Sequence, residues 1–152
     1  MKINTIIKLI CYFGILIPVI VCCDPKSGSD STPPADNTKP VISLISPANS
    51  LVYKLGNSIA LEVDFSDNQE LKSYKVEIRK SLKVIETSDW VYTNSWSIPA
   101  GKTSFKAKHS EIIIPTTVTG KQTTTGNYNM VLTCYDSSGN ESNTTATITI
   151  NM

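Results

Sequence analysis

A formal net charge of +1 over 152 residues, with no Lys or Arg cluster interleaved with aromatics, excludes the electrostatic footprint of a nucleic-acid binder. The cysteines are Cys11, Cys22, Cys23 and Cys134, so the chain beyond its N-terminal segment holds one thiol and no intrachain disulfide framework. What remains after that segment has the size of one ordinary domain with one core, held by packing alone.

The chain starts with Lys2 and Lys8, followed by an almost wholly apolar run from Leu9 to Val21. Such a run suits the h-region of an export signal and is too short to span a bilayer as a helix. Ile20, Val21 and Cys22 before Cys23 resemble a bacterial lipobox, with Cys22 where a Gly, Ala or Ser is usual. The pattern predicts residues 1–22 as a lipoprotein signal peptide and Cys23 as the lipidated residue of the mature chain. Stable anchoring then needs several acyl chains, since one binds a membrane only marginally. The expected location is the bacterial cell envelope, on the periplasmic or surface face of a membrane, the outer one by preference.

Residues 23–39 contain Ser27-Gly28-Ser29-Asp30-Ser31 and Pro33-Pro34 and almost nothing apolar. A segment of this composition cannot offset its ordering entropy by burial and is expected to be a flexible tether, with a reach on the order of 20–25 Å.

From Pro40 onward the hydrophobic period is two. Ile59, Leu61, Val63 and Phe65 alternate with polar or small neighbours, as do Tyr74, Val76 and Ile78. Tyr128, Met130, Leu132 and Cys134 repeat the pattern, and Ala146, Ile148 and Ile150 alternate with threonines. Each is a strand with one buried face. Turn signals at Pro47-Ala48-Asn49, Ser66-Asp67-Asn68, Ala100-Gly101, Thr119-Gly120, Gly126-Asn127 and Ser137–Asn140 separate the runs.

About seven short antiparallel strands so punctuated predict an all-β fold, a Greek-key immunoglobulin-like sandwich over residues 40–152. In that frame strand A covers 41–46, B 58–65, C 71–79, a C′ or D region 90–108, E 111–114, F 127–135 and G 144–151. Tyr128, after the Gly126-Asn127 corner, stands where such sandwiches place a tyrosine that ties the E to F crossover. Cys134 on F faces Leu61 and Val63 of B rather than a second cysteine, so a buried reduced thiol is expected.

The runs Thr38–Leu44, Asp64–Val76, Gly126-Asn127-Tyr128 and Asp136–Ser142 resemble a family of small bacterial lipoproteins with one Ig-like domain and no assigned function. More loosely, the chain is similar to bacterial Ig-like and cadherin-like repeats. The resemblance implies histidines after strand C and before strand E. This chain has Lys80-Ser81-Leu82-Lys83 in the first place and keeps only His109 in the second.

Three constellations could carry chemistry. The B to C loop (Asp67, Asn68, Glu70) and the F to G loop (Asp136, Asn140, Glu141) lie at one end of such a sandwich, and clustered oxygens suit a hard cation such as Ca²⁺. The same residues serve Asx turns, and neither an EF-hand nor a repeated cadherin signature accompanies them. No other cofactor is implied. Strand A starts at that same end, so the tether is expected to leave beside the cation candidates.

Trp90, Tyr92 and Trp96 form the second constellation, aromatics in a polar segment that could stack on a glycan or anchor an envelope protein, although Trp96 is followed by Ile98 and suits the core. The third is His109, between Lys108 and Ser110, where a solvated side chain is expected; no nucleophile and orienting acid are marked around it. The expected function is that of a non-catalytic envelope module binding protein or glycan, with a purely structural or a Ca²⁺-stabilised adhesion domain as the alternatives.

Overall fold

The structure, a computed structural model, describes residues 34–81 and 86–152, and Pro34–Met152 forms one compact unit. The expected signal peptide, Cys23 and the expected tether up to residue 33 lie outside the described residues. The described chain is all strand and connection: β1 (Val41–Ser46), β2 (Leu51–Lys54), β3 (Ser58–Ser66), β4 (Leu71–Lys80), β5 (Tyr92–Ser97), β6 (Ser104–Ile113), β7 (Thr117–Val118), β8 (Lys121–Gln122), β9 (Gly126–Asp136) and β10 (Glu141–Asn151).

Two sheets carry the fold, in the order β1-β3-β6 and β2-β10-β9-β4-β5, with β7-β8 a small separate hairpin. This is the Ig-like sandwich expected from the period-two pattern. The inward residues Ile59, Leu61 and Val63 of β3, Val76 and Ile78 of β4, Met130 and Leu132 of β9, and Ile148 and Ile150 of β10 are all buried to within 1%. Each such side chain contributes about 1.5–3 kcal/mol, which is how the domain dispenses with a disulfide. Cys134 is buried and free, packed in that core.

Two of the differences from the expected strands have a common cause in bulges. The region 90–108 and strand E at 111–114 read as separate because the alternation breaks between them, yet β6 runs unbroken from Ser104 to Ile113. Leu61 pairs with His109 and Ile59 with Ile112, so β6 carries one extra residue at Ser110–Glu111. The inward phase thereby moves from Phe105, Ala107 and His109 to Ile112. A second bulge shifts the β1–β3 register between Leu44 and Ser46, after which the chain crosses to the other sheet and β2 pairs parallel with β10. Strand β2 had no signal in the sequence: in four residues the pattern is half hidden, because Leu51 and Val52 are exposed.

At one end of the sandwich the corner before β9 forms as its sequence implied. Tyr128 is fully buried and its hydroxyl donates to the Thr124 carbonyl at 2.8 Å. Beside it Lys80 Nζ meets the buried Asp89 carboxylate at 3.0 Å, and Asp89 also accepts from the Thr124 hydroxyl and from Glu86 N–H.

Candidate functional site

The loops after β3 and β9 meet, as the topology requires of strands that run the same way in a sandwich, and a third segment joins them. Asp36, Asp67 and Asp136 each place one carboxylate oxygen within 4.8 Å of the other two. The sequence signal for Asp36 was hidden in the polar composition of its segment. The tether was expected to run free to residue 39, but its last residues are held by the domain. Asn68 donates to Asp36 Oδ1 at 3.1 Å, Asn140 Nδ2 to the Asp36 carbonyl at 3.1 Å, and the Ser142 hydroxyl to the Pro40 carbonyl. The boundary at residue 40 thus falls inside the compact unit.

Local turn chemistry shapes each arm. Asp36 accepts from Thr38 N–H at 2.9 Å, an Asx turn that, with the Asn68 amide, holds its carboxyl below the usual value. Asp67 accepts from Gln69 N–H at 3.1 Å through Oδ2. Asp136, 1% exposed, accepts from Asn140 N–H at 2.7 Å and Asn140 Nδ2 at 2.8 Å, closing the turn into β10.

The turns do not use every oxygen. Asp36 Oδ2 and Asp67 Oδ1 are shut off from solvent, and neither has a hydrogen-bond partner among the described residues. A sealed carboxylate oxygen without a donor is costly, and gathering three carboxylates within 4.8 Å compounds the cost by repulsion. A bound cation removes both penalties. The donors are all oxygens, with no imidazole or thiolate, which is the ligand class of Ca²⁺ or Mg²⁺ rather than of a transition metal.

Of the residues singled out for a cation in the sequence, the structure joins Asp67 and Asp136, places Asn68 alongside through its bond to Asp36, and sends Glu70 elsewhere. The Glu70 carboxylate accepts from Gly101 N–H at 2.5 Å, tying the loop to the turn before β6. Glu141 is exposed at the start of β10.

The aromatic constellation is also redistributed. Trp90 is 5% exposed, packed against Tyr128 and Tyr92, and cannot stack on a ligand. Tyr92 and Trp96 are half-buried on β5. Trp96 stacks on Tyr74 at 5.2 Å and on His109 at 4.1 Å between ring centroids. His109 is therefore not the solvated residue its polar neighbours implied: its side chain is 12% exposed, with Nδ1 on Glu111 at 2.6 Å and Nε2 on the Tyr74 hydroxyl at 2.7 Å.

A family model for a domain of unknown function, DUF4625, matches residues 23–151. The chain belongs to the DUF4625 family. No curated protein matches it. The matched span starts at Cys23 and takes in all three carboxylates of the DUF4625 domain's loop cluster.

Proposed function

We propose that this DUF4625 protein is a non-catalytic module of the bacterial cell envelope, anchored through Cys23, whose N-terminal segment is locked onto the sandwich by a divalent cation, Ca²⁺ by its donor set. One observation carries this reading: Asp36, Asp67 and Asp136 bring carboxylate oxygens within 4.8 Å of one another, and Asp36 and Asp67 each keep one sealed, unpartnered oxygen. The cation would join three parts distant in sequence, the segment leading in from the anchor and the two loops. Its consequence is mechanical. With the cation bound, Asp36 is tied to the loops after β3 and β9 beyond its hydrogen bonds with Asn68 and Asn140.

An envelope protein or glycan is the class of partner such a rigid accessory or adhesion module would present itself to. Direct capture by the aromatics is the lesser reading, because Trp90 is withdrawn into the core and only Tyr92 and Trp96 keep any exposure.

The test is thermal unfolding of the full chain in chelator and in millimolar Ca²⁺ or Mg²⁺. Occupancy at 100 times Kd raises stability by about 2.7 kcal/mol, several degrees in Tm for a domain of this size. The same melt on Asp67→Asn is expected to show no Ca²⁺ shift. An unchanged Tm of the wild-type chain in Ca²⁺ would refute the proposal.

A further inference from the structure

The sandwich has four sheet edges among the described residues, and three of them carry the guards that natural sheets use against strand addition. Strand β1 is bulged between Leu44 and Ser46, β2 has only four residues and ends on Lys54, and β6 carries Lys106, Lys108 and its own bulge. Strand β5 has none of these. Tyr92-Thr93-Asn94-Ser95-Trp96-Ser97 holds no charge and no proline, and its ladder with β4 runs without a register shift.

We infer that β5 pairs with β5 of a second copy, antiparallel about a two-fold axis at Asn94, joining two five-stranded sheets into one.

The hydrogen-bond phase allows this register. Ile98 N–H donates to the Lys72 carbonyl at 2.9 Å, and the ladder sets Trp96 opposite Tyr74 and Asn94 opposite Val76. Even-numbered residues of β5 therefore turn their main-chain groups toward β4, and Thr93, Ser95 and Ser97 turn theirs outward. A dyad at Asn94 sets Thr93 against the partner's Ser95, so that two outward residues exchange about four main-chain hydrogen bonds across the axis. Ser95 N–H is held meanwhile by the Asn94 side-chain oxygen at 2.9 Å, a local acceptor that an arriving carbonyl replaces.

The side chains match in the same register. Tyr92 falls opposite the partner's Trp96 in a non-hydrogen-bonded pair, where side chains lie closest, and both are half-buried with an open flank. Like charges never meet. One strand further out the rows run Glu77, Thr93, the partner's Ser95, the partner's Lys75, an acid facing a base. Within each copy Lys75 and Glu77 already pair at 3.0 Å, so this row brings no repulsion to the joint. Dyads at Thr93 or Ser95 keep the hydrogen-bond phase and lose the Tyr–Trp contact, which is why Asn94 is the centre. This inference does not depend on the cation site.

The full chain carrying Asn94→Cys tests it. Opposed residues of a non-hydrogen-bonded pair have Cα atoms about 4.5 Å apart, within disulfide range. Mild oxidation is expected to yield a covalent dimer from Asn94→Cys and none from Ser95→Cys, whose copies sit off the axis. Wild-type chain, with its own cysteines, sets the background. Asn94→Lys and Asn94→Glu, each unchanged in melting, are expected to halve the sedimenting mass separately and to restore the dimer when mixed. No cross-link above background, equal cross-linking of Ser95→Cys, a monomeric wild-type chain, or a dimer indifferent to Asn94→Lys would each overturn the inference.

Discussion

The imidazole of His109 lies flat on the indole of Trp96, ring centroids 4.1 Å apart, although the two residues belong to different sheets. His109 stands on β6 and Trp96 on β5, each the edge strand of its sheet, so the stack closes one open side of the sandwich. Glu111, swung back by the bulge, pairs with Nδ1, and Nε2 shares a hydrogen bond with the Tyr74 hydroxyl, so both ring nitrogens have a partner.

Replacing His109 by Ala strips the Tyr74 hydroxyl of its partner and Trp96 of its cover. A buried hydroxyl left unpaired costs about 1–3 kcal/mol, so the Tm is expected to fall by several degrees in a thermal melt. His109→Phe keeps the stack without the hydrogen bonds and should fall between the two. A His109→Ala melt superimposable on wild type would mean that the array contributes nothing.

For the cation cluster, Asp67 and Asp136 should respond differently. Asp67→Asn is expected to raise the metal-free melt, since it removes one of three clustered charges while only Gln69 N–H leans on its carboxylate. Asp136→Ala removes both acceptors of the Asn140 turn and is expected to lower the melt by about 1–3 kcal/mol even in chelator. Paired melts with and without Ca²⁺ separate these effects.

Alkali should weaken the fold through two acids held neutral. Burial, and then the nearby Asp67 charge, push the Cys134 thiol from 9.0 up to about 12; burial and the Glu111 charge push Tyr74 from 10.0 to about 12. Both folded values are raised, so the stability they contribute is complete below the unfolded values and is lost as pH climbs from there toward about 12. Denaturant melts should weaken from about pH 9 upward. Cys134→Ala should flatten the first part of that slope, and the native thiol should resist alkylation at pH 8 until the domain unfolds.

Acid acts at the far end, on Asp89. Burial alone would raise its carboxyl, but the Thr124 hydroxyl, Glu86 N–H and Lys80 outweigh it and hold the group below 3.8. Its contribution is present above 3.8 and is lost as pH falls through the lower folded value. Lys80→Met keeps the aliphatic stem and deletes the ammonium, leaving a buried charge unpaired at a cost of about 3–5 kcal/mol. Acid unfolding of this variant should begin at a higher pH than that of wild type, measured by circular dichroism.

Most of the core was legible in the sequence because burial on a pleated strand leaves a two-residue period. Leu61, Val76, Leu132 and Ile148 announce their strands by that alone, and Tyr128 announces its corner by standing after Gly126-Asn127. Strand β6 was legible only in halves, since the extra residue at Ser110–Glu111 inverts the phase midway. Asp67 and Asp136 could be suspected of meeting, because Ig-like topology brings the loops after β3 and β9 to one end.

What the chain by itself determined, then, is every property that depends on near neighbours: the period, the turns, the lone thiol, the polar run before Pro40. The tertiary structure decided which distant polar groups share one place. Asp36 joins Asp67 and Asp136 across gaps of 31 and 100 positions in the numbering, and His109 lies against Trp96 and Tyr74 from another sheet. Composition cannot separate Asp36 from the other acids and amides of its segment. Only the docking of that segment against Asn68 and Asn140 seals one of its carboxylate oxygens from water, and an oxygen so placed turns an ordinary aspartate into a candidate ligand.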